Sequence, residues 1–129
     1  MNQLFVHATK SSPLVHFDAS TGLLEIKGKS YPENAAQFYA PILEWVRAYL
    51  QEFRDKHVEL NVEMIYLNSS SSKAFLNLFD LLDTCAKQGQ SVVINWRYHE
   101  DNDTALECGQ EFSEDLESVT FNLVEICEE

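Results

Sequence analysis

Apolar residues recur at steps of three and four positions in two long segments, and this spacing predicts two amphipathic helices. The first helix is predicted to start within residues 30–34, where a proline followed by an acidic residue is typical of a helix N-terminus, and to end near Arg54. Pro41 lies inside this helix and is expected to bend its first turns. The second helix is predicted over residues 71–87. Its polar residues form one narrow stripe, so it is expected to be deeply buried or to offer apolar surface to a partner.

Alternating apolar and polar residues predict strands around these helices. Residues 14–18 and 23–28 are separated by a turn that contains a glycine, which indicates a β-hairpin. Residues 57–67 alternate at first and then become apolar on both faces, which is typical of a strand that is fully covered near its end.

The remaining third of the chain is predicted to contain a strand at residues 91–98 and a last strand at residues 119–126, at an edge of the sheet. Between them, residues 99–110 are acidic and polar and pass into a weaker helix that reaches Leu116. The strand–helix–strand order over residues 58–98 indicates a right-handed crossover. We therefore predict an α/β fold with a mixed β-sheet of about five strands packed with two to three α-helices.

Length and composition favour one globular domain over residues 1–129. The chain is 45% hydrophobic and 12% aromatic, which is enough apolar material to build a core without metals or disulfides. Nine basic and 21 acidic residues give a formal net charge of −12. Nucleic acid and anionic membranes repel such a surface, whereas a basic protein surface attracts it.

The cysteines and the N-terminus predict a cytoplasmic protein. The three cysteines are an odd number without a Cys-x-x-Cys pair, which does not fit a secreted disulfide framework. The first ten residues lack a basic start followed by an apolar stretch, and no apolar run reaches the ~20 residues that a membrane helix needs.

The junction between the second long strand and the second helix carries the most informative residues, Tyr-Leu-Asn-Ser-Ser-Ser-Ser-Lys at positions 66–73. A helix N-terminus directs unpaired N–H groups at one small volume and so favours a negative charge there. A phosphate on one serine would find such a place, and Lys73, four residues after Ser69, could make a charge-assisted contact with it. The simpler interpretation is a polar turn with a good helix cap.

Other chemistry has little support in the sequence. The histidines lack the spacing of a helical metal site, and no nucleotide-binding or nucleophile-elbow motif is present, so no metal, cofactor or catalytic residue is predicted. An alternative is a small ligand-binding domain or enzyme with a pocket between the first helix and the sheet, with Glu33, Tyr31 and His99 as its first candidates. A purely structural subunit whose interface buries the second helix is a third possibility.

Ser-Tyr-Pro-Glu-Asn at positions 30–34, together with positions 66–73, resembles the SiaC family of bacterial regulatory phosphoproteins over nearly the whole chain. This resemblance implies a fold like that of STAS domains and anti-sigma-factor antagonists. It also implies a non-enzymatic partner-switching role, with a protein kinase and a PP2C-type phosphatase acting on the protein. The unmodified form would bind and activate a diguanylate cyclase, raising cyclic di-GMP and favouring aggregation and biofilm formation.

The same resemblance implies a set of site residues. The phosphoacceptor of the family is typically a threonine directly after the Tyr-Leu-Asn strand end, and Ser69 holds that position here, with Ser70 and Ser71 as alternatives. The environment of the phosphate and the partner would be formed by eight residues, namely Tyr31, Pro32, Glu33, Asn34, Asn68, Ser70, Ser71 and Lys73.

Overall fold

The computed structural model describes residues 2–127 and arranges them into six strands and three helices. In chain order these are β1 (Leu4–Val6), β2 (Leu14–Asp18), β3 (Leu23–Ser30), α1 (Ala35–Glu52), β4 (Val58–Leu67), α2 (Ser69–Lys87), β5 (Val92–His99), α3 (Asp103–Glu114) and β6 (Thr120–Ile126). The strands form one mixed sheet in the order β1-β2-β3-β4-β5-β6, which confirms the predicted α/β class. The prediction of about five strands omitted only the three-residue β1.

The sheet divides into an antiparallel part and a parallel part. β1, β2 and β3 pair antiparallel, which confirms the predicted hairpin. β3, β4, β5 and β6 pair parallel, and each successive pair is joined by one helix. Because the carboxyl ends of these four strands lie at one edge of the sheet, the turns that lead into α1, α2 and α3 also lie there.

The three helices pack on one face of the sheet and enclose the core with it. Trp96 of β5 is fully buried and contacts the rings of Phe75 and Phe79 from α2 and Phe112 from α3. α1 joins the same core through Tyr39, whose ring packs against Phe75. This burial of large aromatic side chains fixes the position of α2 relative to the sheet.

The opposite face of the sheet carries polar side chains. Asn95 donates to Asn61 at 2.8 Å, and Asn122 donates to Asn95 at 2.9 Å, so an amide ladder crosses three parallel strands. Beside the ladder, the two carboxylate oxygens of Glu63 lie 3.9 Å from Nζ of Lys27 and 3.9 Å from Nη1 of Arg97. This face satisfies its polar groups internally and in water, and it needs no helix to cover it.

Each of the three helices begins with an asparagine cap, a feature that the sequence analysis missed. The side chains of Asn34, Asn68 and Asn102 accept hydrogen bonds from the backbone N–H three residues later, at 3.0, 2.9 and 3.1 Å. These caps explain two shifted boundaries, because α1 starts after the proline of residues 30–34, and α2 includes the serines that were expected to precede it. α1 continues through Pro41 to Glu52.

The third helix also corrects the sequence analysis, which placed an acidic, polar segment over residues 99–110. α3 already begins at Asp103, and its narrow buried stripe consists of Ala105, Gly109 and Phe112. An added Cβ at Gly109 would lie 2.5 Å from Cδ1 of Trp96, so the glycine allows the helix to approach the strand. A stripe with two such small residues has little apolar periodicity, which is why the pattern was weak. β6 lies at the sheet edge, as predicted.

Within residues 2–127, no helix combines the length and the hydropathy that a membrane-spanning segment requires.

Asp83 of α2 fixes the loop between α3 and β6. The side chain of this aspartate is buried, and its carboxylate accepts hydrogen bonds from the backbone N–H groups of Glu117, Ser118 and Val119, the last two at 2.8 and 3.0 Å. Burial by itself would raise the pKa of Asp83, but the three N–H donors and Lys87 outweigh it and hold the pKa below its ordinary value. The carboxylate form is therefore the one that stabilises the fold.

We predict that Asp83→Asn lowers the free energy of unfolding at pH 7 by about 2 kcal/mol, because an amide cannot replace an ionised acceptor of several N–H groups. The contribution of a carboxyl with a lowered pKa is fully present above the unfolded pKa of about 3.9 and is lost as the pH falls through the folded pKa. Urea unfolding at pH 7 and in the acid range should therefore show the gap between wild type and variant closing in acid. The exposed neighbour Asp80, changed to Asn, provides the control; equal losses for both variants would contradict the role given to Asp83.

Candidate functional site at the start of helix α2

The candidate site is the first turn of α2, where the serine run lies. Asn68 is the N-cap, and Ser69, Ser70 and Ser71 are the first three residues of the helix. The Asn68 side chain accepts from the N–H of Ser71 at 2.9 Å, and its carbonyl accepts from the N–H of Ser72 at 2.9 Å. The remaining N–H groups of a first helical turn have no partner inside the helix, so this turn offers donors to an anion.

The four serines differ sharply in exposure. Ser69 and Ser70 are exposed, Ser72 is half-buried, and Ser71 is fully buried at 0% exposure. The hydroxyl of Ser71 accepts a hydrogen bond from the hydroxyl of Ser30 at 2.8 Å. A kinase cannot approach a hydroxyl in this position, so the geometry argues against Ser71 as a phosphoacceptor and leaves Ser69 and Ser70.

A buried chain of hydroxyl groups supports this turn from below. Because Ser30 donates its proton to Ser71, the 2.6 Å bond between Ser30 and Tyr39 uses the phenol as donor. Burial raises the pKa of Tyr39 to about 12, and although the serine hydroxyls act in the opposite direction, burial dominates, so the phenol keeps its proton at neutral pH. The three residues lie at the end of β3, in α1 and in α2, and the chain of hydroxyls therefore links three elements under the serine run.

The structure brings residues 30–34 against residues 66–73, the two segments that carried the family resemblance. The N–H of Asn68 donates to the carbonyl of Ser30 at 3.0 Å, and the ring centroids of Tyr31 and Tyr66 lie 5.9 Å apart in an edge-on contact. Pro32 is half-buried in the connection that follows. Glu33 and Asn34 line the same surface groove between α1 and α2 as Ser70 and Lys73. The site residues predicted from the two segments therefore lie together.

Lys73 is exposed and extends along that groove. In the part of the chain that the structure describes, no carboxylate oxygen lies within the 4.0 Å ion-pair distance of its ammonium group, whereas Lys27 and Lys87 both have such a partner. The predicted contact of Lys73 with a phosphate on Ser69 stays a prediction, and the absence of a competing carboxylate leaves the ammonium group available for it.

Exposed apolar side chains flank the serine run. Ile65 and Tyr66 precede it and are 48% and 52% exposed, and Leu76 follows it on α2 with 40% exposure. Leu76 comes seven residues after Ser69, which places both on one side of the helix, roughly 10 Å apart along its axis. Within residues 2–127, three of the six large apolar side chains with this degree of exposure thus lie near the candidate site, which is typical of a protein-binding surface. The second helix therefore both buries apolar residues and exposes one, Leu76.

The alternative of a pocket between the first helix and the sheet is not supported. Buried residues fill that space, among them Ile42, Val46 and Tyr49 of α1. The three candidate residues also lie apart: Glu33 lines the groove between the helices. Tyr31 packs against Tyr66. Nε2 of His99 lies 3.8 Å from a carboxylate oxygen of Glu63 on the face of the sheet that carries no helix.

One group of possible metal-ligating side chains was not predicted from the sequence. Glu100, Glu125 and Cys127 place one ligand-type atom each within 4.8 Å of one another. All three are exposed, and exposed acidic groups often lie this close without binding an ion. We assign no metal site to them.

The cysteines do not offer a nucleophile either. Burial raises the pKa of the thiols of Cys85 and Cys108, so neither thiol is activated.

Comparison with known proteins agrees with this geometry. The profile described as SiaC family regulatory phosphoprotein matches residues 6–126 of the chain. The chain belongs to the SiaC family. An uncharacterised protein of Pseudomonas aeruginosa strain UCBPP-PA14 is 34% identical over 115 residues, which cover 89% of this chain and 90% of that protein.

Solved structures of SiaC proteins share the fold. SiaC of Pseudomonas aeruginosa superposes with a TM-score of 0.90 at 31% identity and covers 98% of this chain and 100% of its own. The crystal structure of apo-SiaC from the same species gives a TM-score of 0.84 at 31% identity, over 95% of this chain and 100% of that one. A third match, with a TM-score of 0.90 and 32% identity over 95% of this chain and 99% of that one, comes from the crystal structure of diguanylate cyclase SiaD in complex with its activator SiaC from that species.

Two buried tyrosines test the hydroxyl chain under the SiaC-family site. Tyr39 is hydrogen-bonded, whereas the hydroxyl of Tyr49 has no protein partner within residues 2–127 although its side chain is fully buried. We predict that Tyr39→Phe lowers the free energy of unfolding by about 1 kcal/mol and that Tyr49→Phe leaves it unchanged or raises it by up to about 1 kcal/mol. Urea unfolding of both variants checks the pair, and the reverse order would contradict the assignment of the hydroxyl chain.

Proposed function

We propose that this SiaC-family chain is a non-enzymatic partner-switching regulator that is reversibly phosphorylated on Ser69. A protein kinase adds the phosphate and a PP2C-type phosphatase removes it. The unmodified form binds and activates a diguanylate cyclase, and so controls the level of cyclic di-GMP. The proposal places the protein and its partners in the cytoplasm.

The observation that carries the proposal is the position of the Ser69 hydroxyl. It is exposed at the first position of α2, between unpaired helix N–H groups and the exposed side chains of Tyr66 and Leu76. The hydroxyl is thus accessible to a kinase, and a phosphate on it would be placed in the middle of a surface suited to protein binding.

The physical effect of the phosphate is local. It adds about −1.5 to −2 charges to a chain that already carries −12, so the change in overall charge is small. The helix N-terminus stabilises the added charge by roughly 0.3–1 kcal/mol, so the modified protein keeps its fold. Burying the phosphate between Tyr66 and an apolar partner surface, in contrast, costs several kcal/mol, which is enough to dissociate a complex of moderate affinity.

The cyclase is proposed as the effector because a relative supports it. SiaC of Pseudomonas aeruginosa is the activator of diguanylate cyclase SiaD in a crystal structure, and the matched chain shares 32% identity with this one. The kinase and the phosphatase are proposed from the family resemblance, because the SiaC family consists of regulatory phosphoproteins. We infer a binding role without catalysis, because the site presents hydroxyls and amides without a paired base.

The first test is the modification itself. Incubation with the cognate kinase and ATP should add one phosphate, and Ser69→Ala should abolish it, because the other exposed serine of this turn, Ser70, lies on a different side of the helix. Intact-mass analysis with fragment mapping measures this directly. Ser70→Ala is the matched control and should accept the phosphate as the wild type does; the opposite result would move the site to Ser70.

The second test is the consequence for binding. Ser69→Asp should weaken binding of the cyclase at least about tenfold, because the charge must be desolvated in the interface. Ser69→Asn has nearly the same shape without the charge and should retain most of the affinity. Calorimetric titration measures both variants, and equal affinities for Asp and Asn would argue against switching by charge.

A further inference from the structure

A long groove lies between α1 and α2, and the phosphorylation site proposed above does not account for most of it. The groove consists of two adjoining hollows of about 520 and 370 Å³, and Arg47 of α1 lines both. Leu43, Leu50 and Leu81 supply its apolar lining. It extends from Asn34 at the start of α1 and Ser70 at the start of α2 to the last turns of both helices.

The groove concentrates positive charge on a strongly acidic protein. Three of the nine basic residues line it, namely Lys73, Arg47 and Arg54. Throughout residues 2–127, no carboxylate oxygen is within 4.0 Å of any of the three. Lys27, Lys87 and Arg97, in contrast, are paired on the sheet or beside Asp83.

The two ends of the groove differ in charge. Glu33 and Glu44 line the hollow near the serine run, together with Lys73 and Arg47. The other hollow has Arg47 and Arg54 and no acidic residue in its lining. An occupant that satisfies this pattern brings carboxylates to the arginines and apolar side chains to the leucines.

We propose that the groove binds an amphipathic helix of a partner protein, with an apolar face and acidic flanks. Two neighbouring helices leave a furrow into which the side-chain ridge of a third helix fits. Guanidinium groups bind carboxylates in a bidentate manner, so Arg47 and Arg54 set the charge that the partner must carry. A helix of about five turns spans roughly the length of α1.

The groove also reaches the proposed switch, because Ser70 and Lys73 line the hollow at its N-terminal end. A phosphate on Ser69 lies one helical turn from Lys73, adds negative charge at this end and attracts the lysine away from the partner. Phosphorylation therefore repels an acidic helix from the groove. This regulatory half of the inference rests on the proposed function, whereas the groove and its charge do not.

Two synthetic helical peptides test the proposal. Both carry leucine and alanine on one face; one has glutamate on its flanks, and the other has lysine at the same positions. Fluorescence anisotropy with the full chain should show the glutamate peptide binding at least about tenfold more tightly at low salt, with the difference reduced in high salt as screening requires. Backbone amide NMR shifts should map to α1 and α2.

Two double variants with the same change of net charge distinguish binding by the groove from attraction by the overall charge of the protein. Arg47→Glu combined with Arg54→Glu should weaken binding of the glutamate peptide at least about tenfold. Lys10→Glu combined with Lys56→Glu makes the same change of charge on exposed residues outside the groove and should change binding less than about twofold. Both double variants are first checked by urea unfolding.

The outcomes are distinct. The groove proposal is overturned if both peptides bind equally or neither binds. It is also overturned if the two double variants lose equal affinity, or if the amide shifts map away from α1 and α2. If Ser69→Asp leaves the affinity for the glutamate peptide unchanged while the arginine variant loses it, the regulatory half is wrong and the groove stands. Failure of the kinase to phosphorylate the chain would defeat the proposed function without affecting the peptide result.

Discussion

The hydrogen bonds that fix the turn from β4 into α2 are the constraint on which the rest of the site depends. Asn68 caps the helix with its side chain and bonds to Ser30 with its backbone, so strand end, helix start and neighbouring strand are fixed by one residue. The apolar side of α2 is then anchored by Phe75 and Phe79 against Trp96. Because the cap and the aromatic packing both hold α2, the rotational phase of the helix about its own axis is fixed. Each serine therefore has a defined environment.

This phase explains how one run of identical residues can serve two purposes. Ser71 lies inward, where it completes the buried hydroxyl chain with Ser30 and Tyr39. Ser69 and Ser70 lie outward, beside helix N–H groups that favour an anion. Helical geometry alone thus separates the buried hydroxyl from the exposed ones, and the proposed phosphorylation of Ser69 would not require the core to open.

Much of the fold follows from local pattern. The parallel crossover around α2 was predictable because the alternating β4, the broadly apolar helix and β5 each have strong periodicity. α3 was harder, since Gly109 replaces an apolar residue so that the helix can approach Trp96, and the loss of that side chain hides the stripe. The predicted helix starts differ from the observed ones because proline and serine are also common at helix N-termini, whereas the caps are formed by the asparagines Asn34 and Asn68.

The site was predictable in position but not in detail. The strand-to-helix junction and its serines were apparent from the sequence, whereas the burial of Ser71 depends on contacts with Ser30 and Tyr39, which are distant along the chain. The groove between α1 and α2 was also beyond local reasoning, because Arg47, Arg54 and Lys73 become neighbours only when the two helices pack side by side.

The central claim is that a phosphate on Ser69 controls the affinity of the protein for its effector. The most direct measurement compares the unmodified protein with protein phosphorylated to completion by its kinase, each titrated calorimetrically into the diguanylate cyclase. The account predicts that the unmodified form binds and that the phosphorylated form binds at least about tenfold more weakly. Equal affinity of the two forms for the cyclase would contradict it.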